Sequence, residues 1–522
     1  MNIAILYTGG TIGCVGDPLR PLSKDKFESA FEAIISPIIA TEYPDCTLSF
    51  LPFDRVLDST NIQPADWCDM AEGILPHYAN YDGFIVLHGT DTMAFTASAL
   101  SFLFTGLQQD GFPNAVLSKP IVFTGSQVPL FHENEQFEYS LLFNTDALQN
   151  VCGAIAAAQL SIPEVCLYFN DTLFRGNRTV KTNADEFHAF SSPNYPALAS
   201  YGIEFVLEND HILHLATTQE ISLDSPVARL IIKNQLDYLK THINHSTIIP
   251  FLAFPAFYSQ TSNTNILSEM LEAAIEKVDV DGVILESYGE GNFPSGNPDT
   301  PEKGAIYKTL KAAHDKGIVL IDCTQVLDGV VNSTVYAAGS WLVEVGVVGA
   351  YDMTSIAALT KLIYLNTLKA YNGNNWDART IARLMQTNIT GEIMDVNRLD
   401  SRGKWYLGVG ESIDALNGSA SLVNDSKSGP LLKDAKGKIL WRALASPTNT
   451  MMPGRLYMQG DGNLVFYDNS NTVLWTSDTA SSEKSTSMLI LDNGSSDAGI
   501  RLFIYNYARE EISRVLYEVE GL

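Results

Sequence analysis

Basic residues are scarce in this chain. Its 522 residues include 33 lysines and arginines against 60 aspartates and glutamates, a formal net charge of −27. Phosphate backbones select basic surfaces, so this balance excludes a general nucleic-acid binder. Cysteine is scarce as well. Cys14, Cys46, Cys68, Cys152, Cys166 and Cys323 are scattered, with no C-x-x-C pair and none after Cys323. Single thiols argue against a disulfide scaffold and for a reducing compartment, so a cytoplasmic location is expected. No apolar run reaches the roughly 20 residues of a membrane helix. The opening "MNIAILYTGG" lacks both the basic stretch and the long apolar core of a signal peptide. The pairs "HILH" (211–214) and "HINH" (242–245) have no glutamate or cysteine ligand set nearby and read as polar connector residues. No metal and no cofactor are expected.

What is abundant is apolar sequence, 46% of the chain, in a length that allows about three domains. In the first 200 residues one theme recurs: an apolar, β-branched run stops at a small polar residue and glycine. "NIAILYTGG", "GFIVLHGTDT" (83–92) and "KPIVFTGSQ" (119–127) do this, and "EVCLYFND" (164–171) ends in Asn170-Asp171. Helical stretches such as "PADWCDMAEGILPHYANY" and "MAFTASALSFLF" lie between them. Uninterrupted apolar strands alternating with helices predict a parallel sheet covered on both faces. Ligands of such sheets bind beyond the carboxyl ends of the strands, so the polar strand ends mark the active edge. The pattern is lost near 205–245 and resumes at "STIIPFLAFPAF" (246–257), "VDGVILESYGEGN" (280–292) and "GIVLIDCTQ" (317–325), a second, smaller α/β domain.

Three groups at these ends bear on chemistry. "LYTGGTIGC" (6–14) presents Thr11 after two glycines, "HGTDT" offers Thr90 beside Asp91, and "FRGNRTVKTN" (174–183) offers Lys181. A threonine hydroxyl needs a base and oxyanion donors before it attacks a carbonyl. Glycines let the backbone approach a substrate and leave turn amides free. Alone, T-G-G-T is an ordinary turn, and its G-G-x-x-G spacing departs from the G-x-G-x-x-G of a dinucleotide site. A lone lysine is a solvated charge. The combination, in order on one sheet, is the informative feature.

The segments "YTGGTIG", "DGFIVLHGTDTMAFTASALSF", "VFTGSQVP", "RGNRTVKTNADEF" and "YDMTSIAALTKLIYL" together resemble the bacterial L-asparaginases, type I, over roughly residues 1 to 395. The resemblance implies an amidohydrolase that converts asparagine to aspartate and ammonia through a threonine acyl-enzyme. It also implies a two-domain fold, an amino-acid substrate, and a homodimer or homotetramer. By that resemblance Thr11 is the nucleophile, and Thr90, Asp91 and Lys181 form the second triad. Gly10, Ser59, Thr60, Gly89 and a neighbouring subunit's equivalent of Asn292 are the substrate-binding positions. The family usually has a tyrosine in the loop after the first motif. Here Leu19 stands near that place, no tyrosine occurs between Tyr7 and Tyr43, and Tyr336 in "VNSTVYAAG" is the candidate replacement. An Asp-Gly after the third strand is missing, the chain reading "FHENEQFEYS" (131–140) instead. Val180 and Glu286 stand where the type I effector site has threonine and arginine. Glu286 would repel a carboxylate, so no activation by asparagine is expected.

Beyond about residue 415, short strands alternate with Gly, Asn, Asp and Ser. "PLLKDAKGKILW" (430–441) aligns without gaps to "LVFYDNSNTVLW" (464–475), and "LFIYNYAREEISRVLY" (502–517) is a looser third copy. Three such units predict an all-β prism whose core shares Trp441, Trp475 and Tyr517. In "QGDGNLVFY" (459–467), Gln459, Asp461, Asn463, Val465 and Tyr467 alternate, which on a strand places all five on one face. This stretch resembles the Q-x-D-x-N-x-V-x-Y motif of bulb-type lectins, implying a mannose-type glycan site. The aligned first-repeat residues Asp425, Lys427, Gly429, Leu431 and Lys433 have lost it.

The expected organisation is therefore an α/β asparaginase domain at 1–205, a connector at 206–245, and a second α/β domain at 246–400. A linker at 401–415 and a prism-type lectin domain at 416–522 follow. An alternative is a carbohydrate-targeted binding protein with weak or altered, glutaminase-like amidase activity. The amidase partner of a tRNA-dependent amidotransferase shares these motifs, but the acidic chain disfavours it. No nucleic-acid or membrane partner is expected.

Overall fold

A computed structural model describes residues 1–208, 211–216, 219–259, 264–331, 337–445, 454–481, 486–492 and 499–519. Two compact units emerge. One holds residues 1–111, 119–212 and 229–394, and the other holds 112–118, 213–228 and 395–522. Among the described residues no helix is long and apolar enough to cross a membrane.

The first unit is organised by an eight-stranded sheet. Its spatial order is Phe205–Leu207, Ala199–Tyr201, Thr172–Arg175, Val165–Phe169, Ile121–Thr124, Gly83–Leu87, Asn2–Tyr7 and Thr47–Phe50. The last five run parallel. Strands Gly83–Leu87, Ile121–Thr124 and Val165–Phe169 are buried at every residue, because helices such as Pro64–Ile74, Met93–Leu103 and Ala147–Ala158 cover the sheet. Chain order reverses at Asn2–Tyr7, whose neighbours are the strands that follow it on either side. A crevice opens at such a switch point, beyond the carboxyl ends.

The sheet is mixed rather than wholly parallel. The run ending in Asn170-Asp171 turns straight back into Thr172–Arg175 as an antiparallel hairpin. Asn170 (φ 45°) and Asp171 (φ 62°) are both left-handed, the two-residue turn that asparagine and aspartate tolerate.

A second sheet in this unit has four parallel strands, Ile248–Leu252, Gly282–Ser287, Val319–Thr324 and Val348–Gly349. Its helix Ser355–Leu368 packs on Met93–Leu103 of the first lobe. Ser98 Oγ and Thr360 Oγ1 are 2.7 Å apart, the Phe102 and Tyr364 rings stack at 5.8 Å, and Tyr364 Oη donates to the Thr105 carbonyl at 2.6 Å.

In the second unit three four-stranded sheets face one core. The first is built from Ser412–Asp414, Ala420–Asp425, Gly429–Asp434 and Ile439–Arg442. The second is built from Tyr406–Leu407, Gly454–Met458, Leu464–Asp468 and Val473–Thr476. The third is built from Arg398–Asp400, Ser487–Asp492, Ile500–Asn506 and Glu511–Val519. The repeat is exact in register. Leu432 faces Trp441, Phe466 faces Trp475 and Leu502 faces Tyr517, each pair followed by a shift in pairing. The three large rings pack against the shared apolar core, and Trp441 meets Trp475 edge-on at 5.6 Å. Residues read as a linker from the sequence supply Tyr406–Leu407 and Ser412–Asp414. Strands of two or three residues are too short for alternation to show.

Two departures follow within this unit. Gln459 to Asn463 form the hairpin turn before the strand Leu464–Asp468, not strand themselves. Gly462 (φ 85°) and an Asp461 carboxylate accepting the Asn463 amide at 3.0 Å close that turn. The outer face of the third sheet is apolar and covered: Met488, Ile490, Phe503, Tyr505 and Tyr507 pack with Val116 and Ile221, and Phe112 lies 4.5 Å from Tyr505.

Candidate active site

Strand Asn2–Tyr7 ends in Thr8, whose hydroxyl donates to the Leu87 carbonyl at 2.9 Å and so ties two neighbouring strand ends together. Gly9 (φ 108°) and Gly10 (φ 88°) then turn the chain through left-handed backbone that side chains resist. Space demands glycine as well. A methyl group on Gly10 would stand 2.4 Å from the Gly89 nitrogen, and one on Gly89 would stand 2.5 Å from Ser59 Oγ. Two loops therefore meet backbone to backbone at Gly10 and Gly89, the Ser59 side chain of a third closes on Gly89, and Thr11, Ser59 and Thr90 sit at or next to the contact. Thr92 Oγ1 fixes the arrangement by donating to the Ser59 carbonyl at 2.8 Å.

Thr11 opens a single 3-10 turn, Thr11–Gly13, and is half-buried. Its hydroxyl makes no hydrogen bond among the described residues. The nearest thiol, Cys14, donates to the Gly10 carbonyl at 3.4 Å. Burial, then the Asp58 carboxylate, pushes that thiol up, which keeps it protonated. The following residues close a small hairpin, Cys14–Val15 on Arg20–Pro21, with Leu19 exposed at its tip and Arg20 paired to Glu133. Tyr7 is committed below this loop, stacked on Phe27 at 4.1 Å with its hydroxyl donating to the Leu22 carbonyl.

Thr90 is buried and central. Lys181 Nζ donates to Thr90 Oγ1 at 2.9 Å and to Asp91 Oδ1 at 2.8 Å, and Thr90 donates on to Gln127 Oε1 at 3.4 Å. Asp91 keeps 57% of its side chain exposed, so one face of that carboxylate is open to a ligand. Ser59 is buried, while Thr60 is exposed with its amide donating to Asp58 Oδ1 at 3.1 Å.

The sequence reading missed three groups that hold this cluster. Gln127 accepts from Thr90 and donates to the Asn183 and Glu186 carbonyls, bridging Thr90 to the turn after Lys181. Arg175 pairs with Glu164 at 2.5 Å and Arg178 with Asp352 at 2.8 Å, both buried, with the Tyr195 ring against each guanidinium. Charged residues inside an apolar strand-and-turn segment were the available signal, because buried arginine requires a partner.

The outlying candidates are placed as follows. Asn292 ends a turn in the second lobe, where its Nδ2 donates to the Gly289 carbonyl at 2.8 Å, and among the described residues it shares no hydrogen bond with the Thr11 or Thr90 cluster. Tyr336 lies outside the described residues. Val180 pairs with Ser191, and Glu286 is the Leu252 neighbour in the second sheet.

His88 is fully buried behind the glycine contact. Its Nδ1 is 2.8 Å from the Gly89 carbonyl, which only accepts, so that nitrogen carries the hydrogen and Nε2 is left buried without a partner among the described residues. Burial pushes its pKa down to about 4, against the opposing Gly89 bond. An unfolded histidine titrates near 6.5, so the unfolded chain binds more protons between about pH 6.5 and 4. Stability from His88 is present above that window and lost as the pH falls through it. His88→Gln is expected to remove about 2 kcal/mol of the stability loss between pH 7 and 5. Urea midpoints of both proteins at the two pH values check this; equal losses exclude the assignment.

A two-lobed α/β fold with hydroxyl, carboxylate and lysine side chains gathered beyond parallel strand ends defines a hydrolytic class of enzyme. Comparison narrows it. Residues 2–213 match the family described as "Asparaginase, N-terminal" and residues 261–381 match "Glutaminase/Asparaginase C-terminal domain". L-asparaginase 1 of Escherichia coli K12 is 34% identical over 401 residues, covering 75% of this chain and 98% of that protein. The structure of L-asparaginase I from Vibrio cholerae superimposes with a TM-score of 0.55 at 31% identity, over 75% of this chain and 99% of that one. The thermostable L-asparaginase of Thermococcus kodakarensis gives 0.56 at 26%, over 76% and 99%. The chain belongs to the asparaginase family and is an L-asparaginase, an amidohydrolase.

Proposed function

We propose that Thr11 is the nucleophile of this asparaginase. Its Oγ1 adds to the side-chain carbonyl carbon of asparagine, its proton passes to the leaving amine, and ammonia departs from an acyl-enzyme ester. Water then hydrolyses the ester to aspartate and restores the hydroxyl. The Gly10–Gly89 contact supports this reading most, because it brings the loops of two threonines and a serine to one point beside glycine turn backbone. Ser59 binds the α-carboxylate, with Thr60 beside it. Asp91 receives the α-ammonium, which competes with Lys181 for the same carboxylate and leaves Lys181 and Thr90 to move protons. In a homodimer or homotetramer a neighbouring subunit adds Asn292, and Tyr336 stands in for the tyrosine that the Leu19 hairpin lacks. The protein works in the cytoplasm.

The second unit binds a mannose-type glycan. Gln459 Nε2 donates to Tyr467 Oη at 3.0 Å, gathering two of the five motif residues. Asn463 Oδ1 takes donors from Thr476, Ser477 and Thr479, which leaves its NH2 group for a sugar hydroxyl. Val465 lies buried on the following strand.

Ammonia release should be hyperbolic in asparagine and slower with glutamine, and rapid acid quench should trap an aspartyl ester on Thr11, read by intact and peptide mass. A sigmoidal curve overturns the effector reading. Absence of both ester and ammonia favours the binding-protein alternative.

A further inference from the structure

We infer that the second unit carries an additional sugar subsite beside the Gln459–Tyr467 pair: an aromatic shelf of Tyr457, Tyr406 and Trp405 that takes the next pyranose ring of an oligosaccharide. This rests on the glycan reading above. Pairing places Tyr406 opposite Tyr457 and Tyr457 opposite Val465. Their strand neighbours Leu407, Leu456, Leu464 and Phe466 face the shared core, so Tyr406 and Tyr457 lie on the outer face; Trp405 precedes the strand and meets His214 edge-on at 5.9 Å. Tyr457 is the hub, its centroid 5.7 Å from Tyr467, 5.7 Å from Tyr406 and 5.1 Å from Trp405. The shelf therefore begins at a motif residue and leads away from it. All four rings are half-buried and keep exposed area. Arg455 lies 5.3 Å over the Tyr406 ring at the exposed rim.

The other two repeats supply the control. Register equates Tyr457 with Val423 in the first sheet and Asp492 in the third, and equates Tyr406 with Ser412. Neither repeat carries the five-residue motif, and neither carries a ring at the Tyr457 position. The Asp492 position is instead paired with Arg501 at 2.9 Å. The outer-face rings of the third sheet, Phe503, Tyr505 and Tyr507, are covered by Val116 and Ile221, so half-exposed rings on the outer face of the motif-bearing repeat need another cause. A pyranose offers one. Its axial C–H groups pack on an electron-rich ring face while its hydroxyls meet the phenol and guanidinium tips.

Full-length protein titrated calorimetrically with methyl α-mannoside and with an α-linked mannotriose tests this. The trisaccharide is expected to bind about tenfold tighter. Tyr457→Val and Tyr406→Ser, which copy the first repeat and so respect the fold, should bring that ratio to near one. Gln459→Ala should lose both sugars. Equal wild-type affinities, or a ratio that both tyrosine variants preserve, overturn the shelf. Binding lost in Tyr457→Val but untouched by Gln459→Ala overturns the motif reading and leaves the shelf standing. No binding of either sugar overturns both.

Discussion

Thr11→Ala is expected to lower ammonia release from asparagine by about 10⁴-fold or more, with the thermal midpoint nearly unmoved. The other hydroxyls and the thiol at the strand ends are already committed. Thr8 already donates to the Leu87 carbonyl, Thr90 lies between Lys181 and Gln127, and the Cys14 thiol is held protonated by burial and Asp58. The Thr11 hydroxyl is half-buried, at the glycine contact, and makes no hydrogen bond among the described residues. A hydroxyl with nothing to hold in the resting protein costs little stability to remove, within about 0.5 kcal/mol. Thr11→Ser should keep measurable turnover, since it retains the oxygen. A coupled ammonia assay at saturating asparagine reads the rates. If Thr11→Ala keeps a tenth of wild-type activity while Thr90→Val loses it, the roles of the two threonines are reversed.

The candidate edge is legible in the sequence because one physical constraint writes it twice. A buried parallel strand must be apolar throughout, and its end must turn without side chains where loops converge, so "ILYTGG" and "IVLHGT" stand out in the bare sequence. What supports the edge was not legible. Gln127 looks like any polar residue after a strand, and only its bridge to the Asn183 and Glu186 carbonyls shows what it holds. The Asn170-Asp171 end matched the strand-end theme, yet two tolerant residues in succession make a hairpin as readily as a site. In the second unit the period of two in "QGDGNLVFY" predicts strand throughout. A glycine with φ 85° and one aspartate–amide bond bend its first half into a turn, a change that alternation alone cannot register. The threefold repeat was legible from its tryptophans because their register opposite Leu432 and Phe466 fixes their spacing.

The largest stability effect is expected at Glu392, which links folding to the same edge. Lys361 and Glu392 form an ion pair at 2.6 Å with both side chains fully buried. Burial alone would raise the Glu392 carboxyl; the Lys361 ammonium and the Thr390 amide more than offset it, and the group stays below its ordinary value. Its contribution is therefore complete at neutral pH and is lost only as the pH falls through that depressed value. Glu392→Ala strands the ammonium on the Met385 and Thr387 carbonyls and orphans the Ile389 and Thr390 amides. Breaking such a pair from one side costs about 3–5 kcal/mol. Lys361→Met with Glu392→Gln removes the charge and keeps an acceptor for the amides, so the double variant should recover most of the loss. The same turn presents the Gly391 carbonyl to Arg178 Nε at 2.6 Å and Arg175 Nη1 at 3.3 Å, and the Thr390 carbonyl to Asn177. Those three residues lead directly into Lys181. Folded Glu392→Ala protein at low temperature should therefore also lose kcat, and urea midpoints measured beside kcat and KM separate the two effects. A variant that is destabilised yet keeps full kcat would confine the pair to holding the fold.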